Sequence, residues 1–286
     1  MDNNERIFDV LPGEEYVDDR SKTTIFFQVL VRKFWKLITI NLMYLVFNIP
    51  AILISFFFGA YILESLFPIS SASLTDAELV ILYMTVGVPA VFFLLAIPTI
   101  SVGPAQAGMT YLLRCFSYEI PTFTWSDFKD KMKENLKQGL AVSLINLVIM
   151  ASLILDIYLY SQLADSSNII LSAASVLVMM VFIIFIMMNM YIYPMMVTYE
   201  LKLTSLYKNA FLFAIGKFLP NLGVVLICLL LIIGPVFLVQ LTTSYLAIMI
   251  MYLYYILLGF TLPGYIINFI INPIIDRHMR PENKQE

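Results

Sequence analysis

Charge is what this sequence has least of. Only 13% of its 286 residues are Asp, Glu, Lys or Arg, against about 25% in water-soluble domains. With 60% of residues hydrophobic, the polar groups are too few to cover a water-facing surface, so lipid must act as solvent for much of the chain. Histidine occurs once, as His278, and cysteine twice, as Cys115 and Cys228. These counts leave no material for a histidine proton relay, a His–Glu metal site or a zinc-type cysteine cluster. The two cysteines fall in different predicted regions, Cys115 on the cytoplasmic side and Cys228 inside a span, and read as free apolar thiols. No Gly-rich, phosphate-cradling loop is present, and no paired intramembrane carboxylates suggest a protease. The chain reads as non-enzymatic and without cofactor. Net charge is −3, which offers no basic surface to nucleic acid. Residues 1–24 hold seven acids and no apolar stretch. No cleavable signal peptide is read there, and the first apolar run is expected to serve as the insertion signal.

What the sequence has in abundance is long apolar runs. A helix needs about 20 apolar residues to cross a hydrocarbon core, and six stretches qualify: 37–60, 79–101, 139–160, 169–197, 220–240 and 244–272. The Lys and Arg residues, 17 in all, fall before the first span, between spans two and three (Arg114, Lys129, Lys131, Lys133, Lys137), between spans four and five, or after the sixth. The intervening segments hold Glu64, Asp76, Glu78 and Asp165 instead. Basic residues collect on the cytoplasmic side. The predicted fold is therefore an all-α polytopic transmembrane bundle in the cell membrane, with six spans and both termini cytoplasmic. Residues 1–20 form a polar acidic segment, 21–275 the transmembrane domain and 276–286 a tail. Prolines within the spans, among them Pro194, Pro235 and Pro263, predict kinks in a compact bundle. The methionine-rich fourth span lacks Cys or His ligands and reads as apolar packing.

Three segments read as amphipathic helices lying on the cytoplasmic face: 21–36, 124–138 and, more weakly, 203–217. In the second, Thr124 or Ser126 suits the N-cap, Asp127 and Asp130 the positive end of the dipole, and Phe128, Met132 and Leu136 an apolar stripe. Such helices anchor to anionic lipid or dock a partner, and Trp125, Asp127, Phe128, Met132, Asn135 and Leu136 are the candidate docking residues. The candidate intramembrane polar residues are Asn41, Asp156 and Asn189. Asp156 is the one ionisable residue read inside a span, near its outer end. The asparagines predict interhelical hydrogen bonds worth about 0.6–2 kcal/mol each. Spans one, three and five open with related strings, KFWKLITINL, NLKQGLAVSL and KFLPNLGVVL, which suggests three related hairpins.

Three stretches taken together resemble a known family. They are FFQVLVRKFWKLITINLMYLVFNIP from Phe26, SVGPAQAGMTYLLRCFSYE from Ser101 and TWSDFKDKMKENLKQGL from Thr124. Their order and spacing are similar to those of the YesL-like bacterial membrane proteins, a domain-of-unknown-function family (number 624), over most of residues 25–240. Members are commonly encoded beside carbohydrate ABC importers and glycan-degrading enzymes. The resemblance implies an accessory or assembly subunit of such an importer, with permease or ATPase subunits as partners. The alternatives are a transporter or permease that moves a solute itself, and a structural or regulatory membrane protein unrelated to sugars. The ATPase-docking loop of importer permeases, of Glu-Ala-Ala…Gly type, is missing from 110–138 and 199–217.

Overall fold

A computed structural model describes residues 20–49, 88–163, 169–242 and 245–279. The predicted acidic segment apart from Arg20, the parts of predicted spans one and two at 50–60 and 79–87, and the final residues from 280 lie outside them. Every element among the described residues is a helix: α1 (Lys22–Arg32), α2 (Phe34–Ile49), α3 (Val88–Ser117), α4 (Thr124–Glu134), α5 (Leu136–Leu163), α6 (Ile169–Met196), α7 (Leu203–Gly216), α8 (Phe218–Thr242), α9 (Tyr245–Leu257) and α10 (Thr261–Met279). Among the described residues three stretches, Leu136–Ile157, Leu171–Met196 and Phe218–Val239, are long and apolar enough to cross a membrane. A fourth arises if α9 and α10, bent by 50°, form one broken span.

Three amphipathic segments each end in a one-residue hinge and run straight into a long helix. The hinges are Lys33, Asn135 and Lys217, with ψ of 7°, 13° and 39° instead of the helical value near −42°. Hydrogen bonding bridges each hinge in the same way. The hinge N–H donates four residues back (2.8, 3.1 and 3.1 Å), and its carbonyl accepts from Leu37, Gly139 and Asn221, four residues on (2.9, 2.7 and 3.0 Å). Counted from the hinge, the inward positions coincide. At +4 lie Leu37, Gly139 and Asn221, and at +7 Ile40, Val142 and Val224, all buried. At +9, Leu42, Leu144 and Leu226 all face outward. The three opening strings are thus one structural unit used three times. The predicted segments 21–36 and 124–138 are not single helices, because each contains its hinge.

The units close on one another in a ring. The return helices α3, α6 and α10 pack together. Helix α4 lies on α3 and α7 on α6. Helix α1 completes the circuit on α10, where Phe26 stacks on Tyr265 at 5.0 Å, meets Phe269 edge-on at 5.2 Å, and accepts the Tyr265 hydroxyl on its carbonyl. Two departures from the predicted spans follow. The helix predicted for span two does not stop at residue 101, since α3 runs on to Ser117. The helix predicted as span six is broken at 258–260. There the Leu258 and Gly259 N–H groups both donate to the Tyr254 carbonyl (2.8 and 3.0 Å), which winds the helix off its axis. A Cβ on Gly259 would lie 2.7 Å from Tyr255 Cα, so the bend requires glycine.

Helices α3 and α5 approach to backbone contact. A Cβ on Gly103 would sit 2.2 Å from the Gly139 carbonyl oxygen, and one on Gly139 would sit 3.0 Å from Gly103. Small residues let helices in lipid gain dispersion contact. Gly103→Ala is expected to cost about 1–3 kcal/mol by overpacking and Gly139→Ala less. Thermal midpoints of the purified variants should fall in that order; the reverse order would contradict the close approach.

Candidate functional site

The C-terminal ends of the three return helices meet at one carboxylate. Arg114, in the last turn of α3, places Nη2 at 2.9 Å from both oxygens of Asp276, near the end of α10. Tyr118, just past α3, donates its hydroxyl to Oδ2, and Tyr199, just past α6, donates to Oδ1 at 2.8 Å. The guanidinium also lies 5.1 Å from the Tyr118 ring centroid. Arg114 and Asp276 are only 7% and 8% exposed. Two charges withdrawn from water are tolerable only when paired and hydrogen-bonded, and Asp276 gathers donors from all three return-helix ends. One donor remains over: Arg114 Nη1 is buried with no hydrogen-bond partner. Sequence reasoning missed this pair, counting Arg114 as a loop cation and assigning Asp276 to the tail. One signal was present, since Asn268, Asn272 and Asp276 recur every four residues on one face of a helix.

Beside the pair, α3 ends in a Schellman turn. The Ile120 N–H reaches the Cys115 carbonyl (2.8 Å) and the Glu119 N–H the Phe116 carbonyl (3.1 Å). The left-handed position of this turn normally takes glycine, yet Glu119 occupies it at φ 56°. Two arginines hold it there: Arg32 on Oε1, and Arg20 on Oε2 at 2.9 Å. The Arg32 hydrogen bond, seconded by that of Arg20, draws the Glu119 carboxyl below the usual glutamate range. A depressed acid stabilises the fold above its ordinary pKa, and this stabilisation is lost as pH falls through the depressed value. Glu119→Gly removes ion pairs worth about 0.2–1 kcal/mol at such exposure and relieves strain of about 1 kcal/mol. The variant is expected to match the parent near pH 7 and to exceed it in thermal midpoint below the carboxylate range. A deficit that persists at low pH would contradict this balance.

The predicted polar residues are distributed as follows. Asn41 is fully buried and clasps the α9–α10 break. Its amide donates to the Tyr255 and Ile256 carbonyls (3.0 and 2.8 Å), and its oxygen accepts from the Phe260 and Thr261 N–H groups (2.9 and 3.0 Å). Asn189 accepts from Asn146 at 2.6 Å, and Asn146 in turn accepts from Tyr207 at 2.8 Å. Asp156 is half-buried near the end of α5, away from both clusters. Of the docking candidates, Phe128 is buried and stacks on Phe47 at 5.4 Å, and Met132 packs into the same core. Asp127 accepts the Phe123 N–H at 2.9 Å and so closes the start of α4; neither Thr124 nor Ser126 caps it, and Ser126 bonds Asp130 instead. Asn135 is the hinge. Only Trp125 and Leu136 stand exposed.

No family model, no curated protein and no solved structure matches the chain.

Among the described residues, no group of three His, Cys, Asp or Glu side chains is placed to hold a metal. The buried polar groups act mainly on the chain's own backbone. Asn41 serves the α9–α10 break, and Asn221 donates to the Phe213 and Ala214 carbonyls across the α7–α8 hinge (3.1 and 3.2 Å). Gln138 donates to the Leu201 carbonyl at 2.8 Å.

Proposed function

We propose that the chain is a six-span protein of the cell membrane, with both termini and the helices α1, α4 and α7 on the cytoplasmic side. In this reading it acts as a non-enzymatic accessory or assembly subunit of a carbohydrate ABC importer. The observation that carries the reading is the use of its buried polar groups. Among the described residues they mainly close helix breaks, hinges and helix ends, as a scaffold requires. The one-sided distribution of all 17 Lys and Arg residues supports the topology. The sugar association rests on the resemblance of residues 25–240 to the YesL-like family.

A C-terminal tag, gentle solubilisation of native membranes and mass spectrometry test the proposal. Stoichiometric recovery of importer permease, ATPase or sugar-binding protein is the expected result. Recovery of the chain alone, from cells grown on complex sugars and in several detergents, would overturn it. One observation favours transport by the chain itself: discontinuous helices recur at substrate sites of transporters, and α9–α10 is discontinuous. Sugar uptake by the purified protein in proteoliposomes would establish that reading. A growth defect of a deletion strain unconnected with any glycan would favour a structural role apart from sugars.

A further inference from the structure

Alignment of the three units on their hinges exposes one that differs. Six residues before the hinge, two before and two after, unit one presents Phe27, Val31 and Trp35, and unit three presents Phe211, Ile215 and Leu219. All six are exposed, from 45% to 77%, as residues facing acyl chains should be. At the same three places unit two presents Lys129, Lys133 and Lys137, also exposed. Four-residue spacing puts Lys129 and Lys133 in one row on α4, about 6 Å apart along the helix, and Lys137 follows just past the Asn135 hinge, in the first turn of α5. Among the described residues no ion pair engages them; the ion pair on this helix joins Lys131 to Glu134 at 2.7 Å.

We propose that the Lys129–Lys133–Lys137 ridge is a docking surface for an acidic helix of a partner protein, with carboxylates repeating at three- or four-residue spacing. This deepens the accessory-subunit reading and rests on it. Lipid is the poorer occupant. The sister helices meet lipid with apolar side chains at these places, whereas six of the 11 residues of α4 are charged. A carboxylate row matches the ridge in sign and, at Lys129 and Lys133, in period, and such complementarity sets partner choice and orientation. The ridge also differs from the residues singled out by the apolar stripe, because Phe128 and Met132 turn inward.

A photo-crosslinking amino acid at Leu136, flanked by Lys133 and Lys137, tests the proposal in native membranes. The expected adduct is a peptide with two or more carboxylates at helical spacing. The triple variant K129E/K133E/K137E should lower its yield by more than about tenfold while leaving the thermal midpoint of the purified protein nearly unchanged, since the lysines are exposed. Lysines placed at the captured acids should restore it. Adducts to phospholipid, to residues 1–19 of the same chain or to a peptide without acids would overturn the proposal, as would an unchanged yield in the triple variant or no adduct at all. Importer subunits recovered equally with parent and triple variant would sink the ridge and leave the accessory reading standing. An acidic adduct from a protein outside any import system would do the opposite.

Discussion

Asn41→Ala is expected to lower stability by about 3–5 kcal/mol, with each backbone group left unsatisfied costing about 1–3 kcal/mol and relaxation recovering part. The side chain serves four such groups at once. Helix α9 ends with free carbonyls on Tyr255 and Ile256, and α10 begins with free N–H groups on Phe260 and Thr261, as helix ends must. In an apolar bundle water cannot replace the missing partner, and Asn41 is fully buried. The amide is the one short side chain that donates on one side and accepts on the other. Asn41→Asp keeps the acceptor but sets a carboxylate against two carbonyls, so it should destabilise nearly as much. Unfolding can be followed with a thiol-reactive fluorophore, because Cys115 and Cys228 are both buried and free, and Cys228 lies 3.9 Å from the Pro263 carbonyl at the start of α10. A midpoint for Asn41→Ala close to that of the parent would show that the break does not depend on the clasp.

What could be read from the sequence divides along a physical line. Hydropathy is local, so the long apolar helices α5, α6 and α8 were legible from it. The hinge strings were legible too, although only their pattern of burial repeats. Of the identities, Leu42, Leu144 and Leu226 are shared. Pairing across the fold was not legible. Arg114 and Asp276 stand 162 residues apart, and each looked like a loop or tail residue because charge interrupts an apolar run whether it faces water or a partner. Asn41 was legible as a polar residue in a span, but its target, a helix break some 215 residues later, was not. Of the predicted stripe of Phe128, Met132 and Leu136, the first two turn inward, whereas Leu136 lies past the hinge and is exposed. Periodicity does not say whether such a stripe meets lipid, a partner or, as here, the chain's own core.

The second large effect belongs to the other end of α10. Arg114→Met takes the guanidinium away from the buried Asp276 carboxylate, and Asp276→Leu takes both carboxylate oxygens away from a buried guanidinium. Removing one member of a buried ion pair costs about 3–5 kcal/mol, so each single variant should melt far below the parent. Replacing both together removes the desolvation penalty along with the attraction, so the double variant Arg114→Met/Asp276→Leu should melt above either single variant, yet below the parent because the Tyr118 and Tyr199 hydrogen bonds are lost with the carboxylate. Tyr118→Phe and Tyr199→Phe each delete one hydrogen bond to a charged group, worth about 1.5–3 kcal/mol, and should fall between the parent and the single charge deletions. The diagnostic quantity is the coupling energy, expected to exceed about 2 kcal/mol for side chains in one network. Additive single effects would mean that the two charges do not hold each other. Strong coupling would mean that α10 is pinned at both ends, by Asn41 at its start and Arg114 near its finish. Force on the face of the bundle that carries α4 would then reach α10 through α3, on which both α4 and α10 pack.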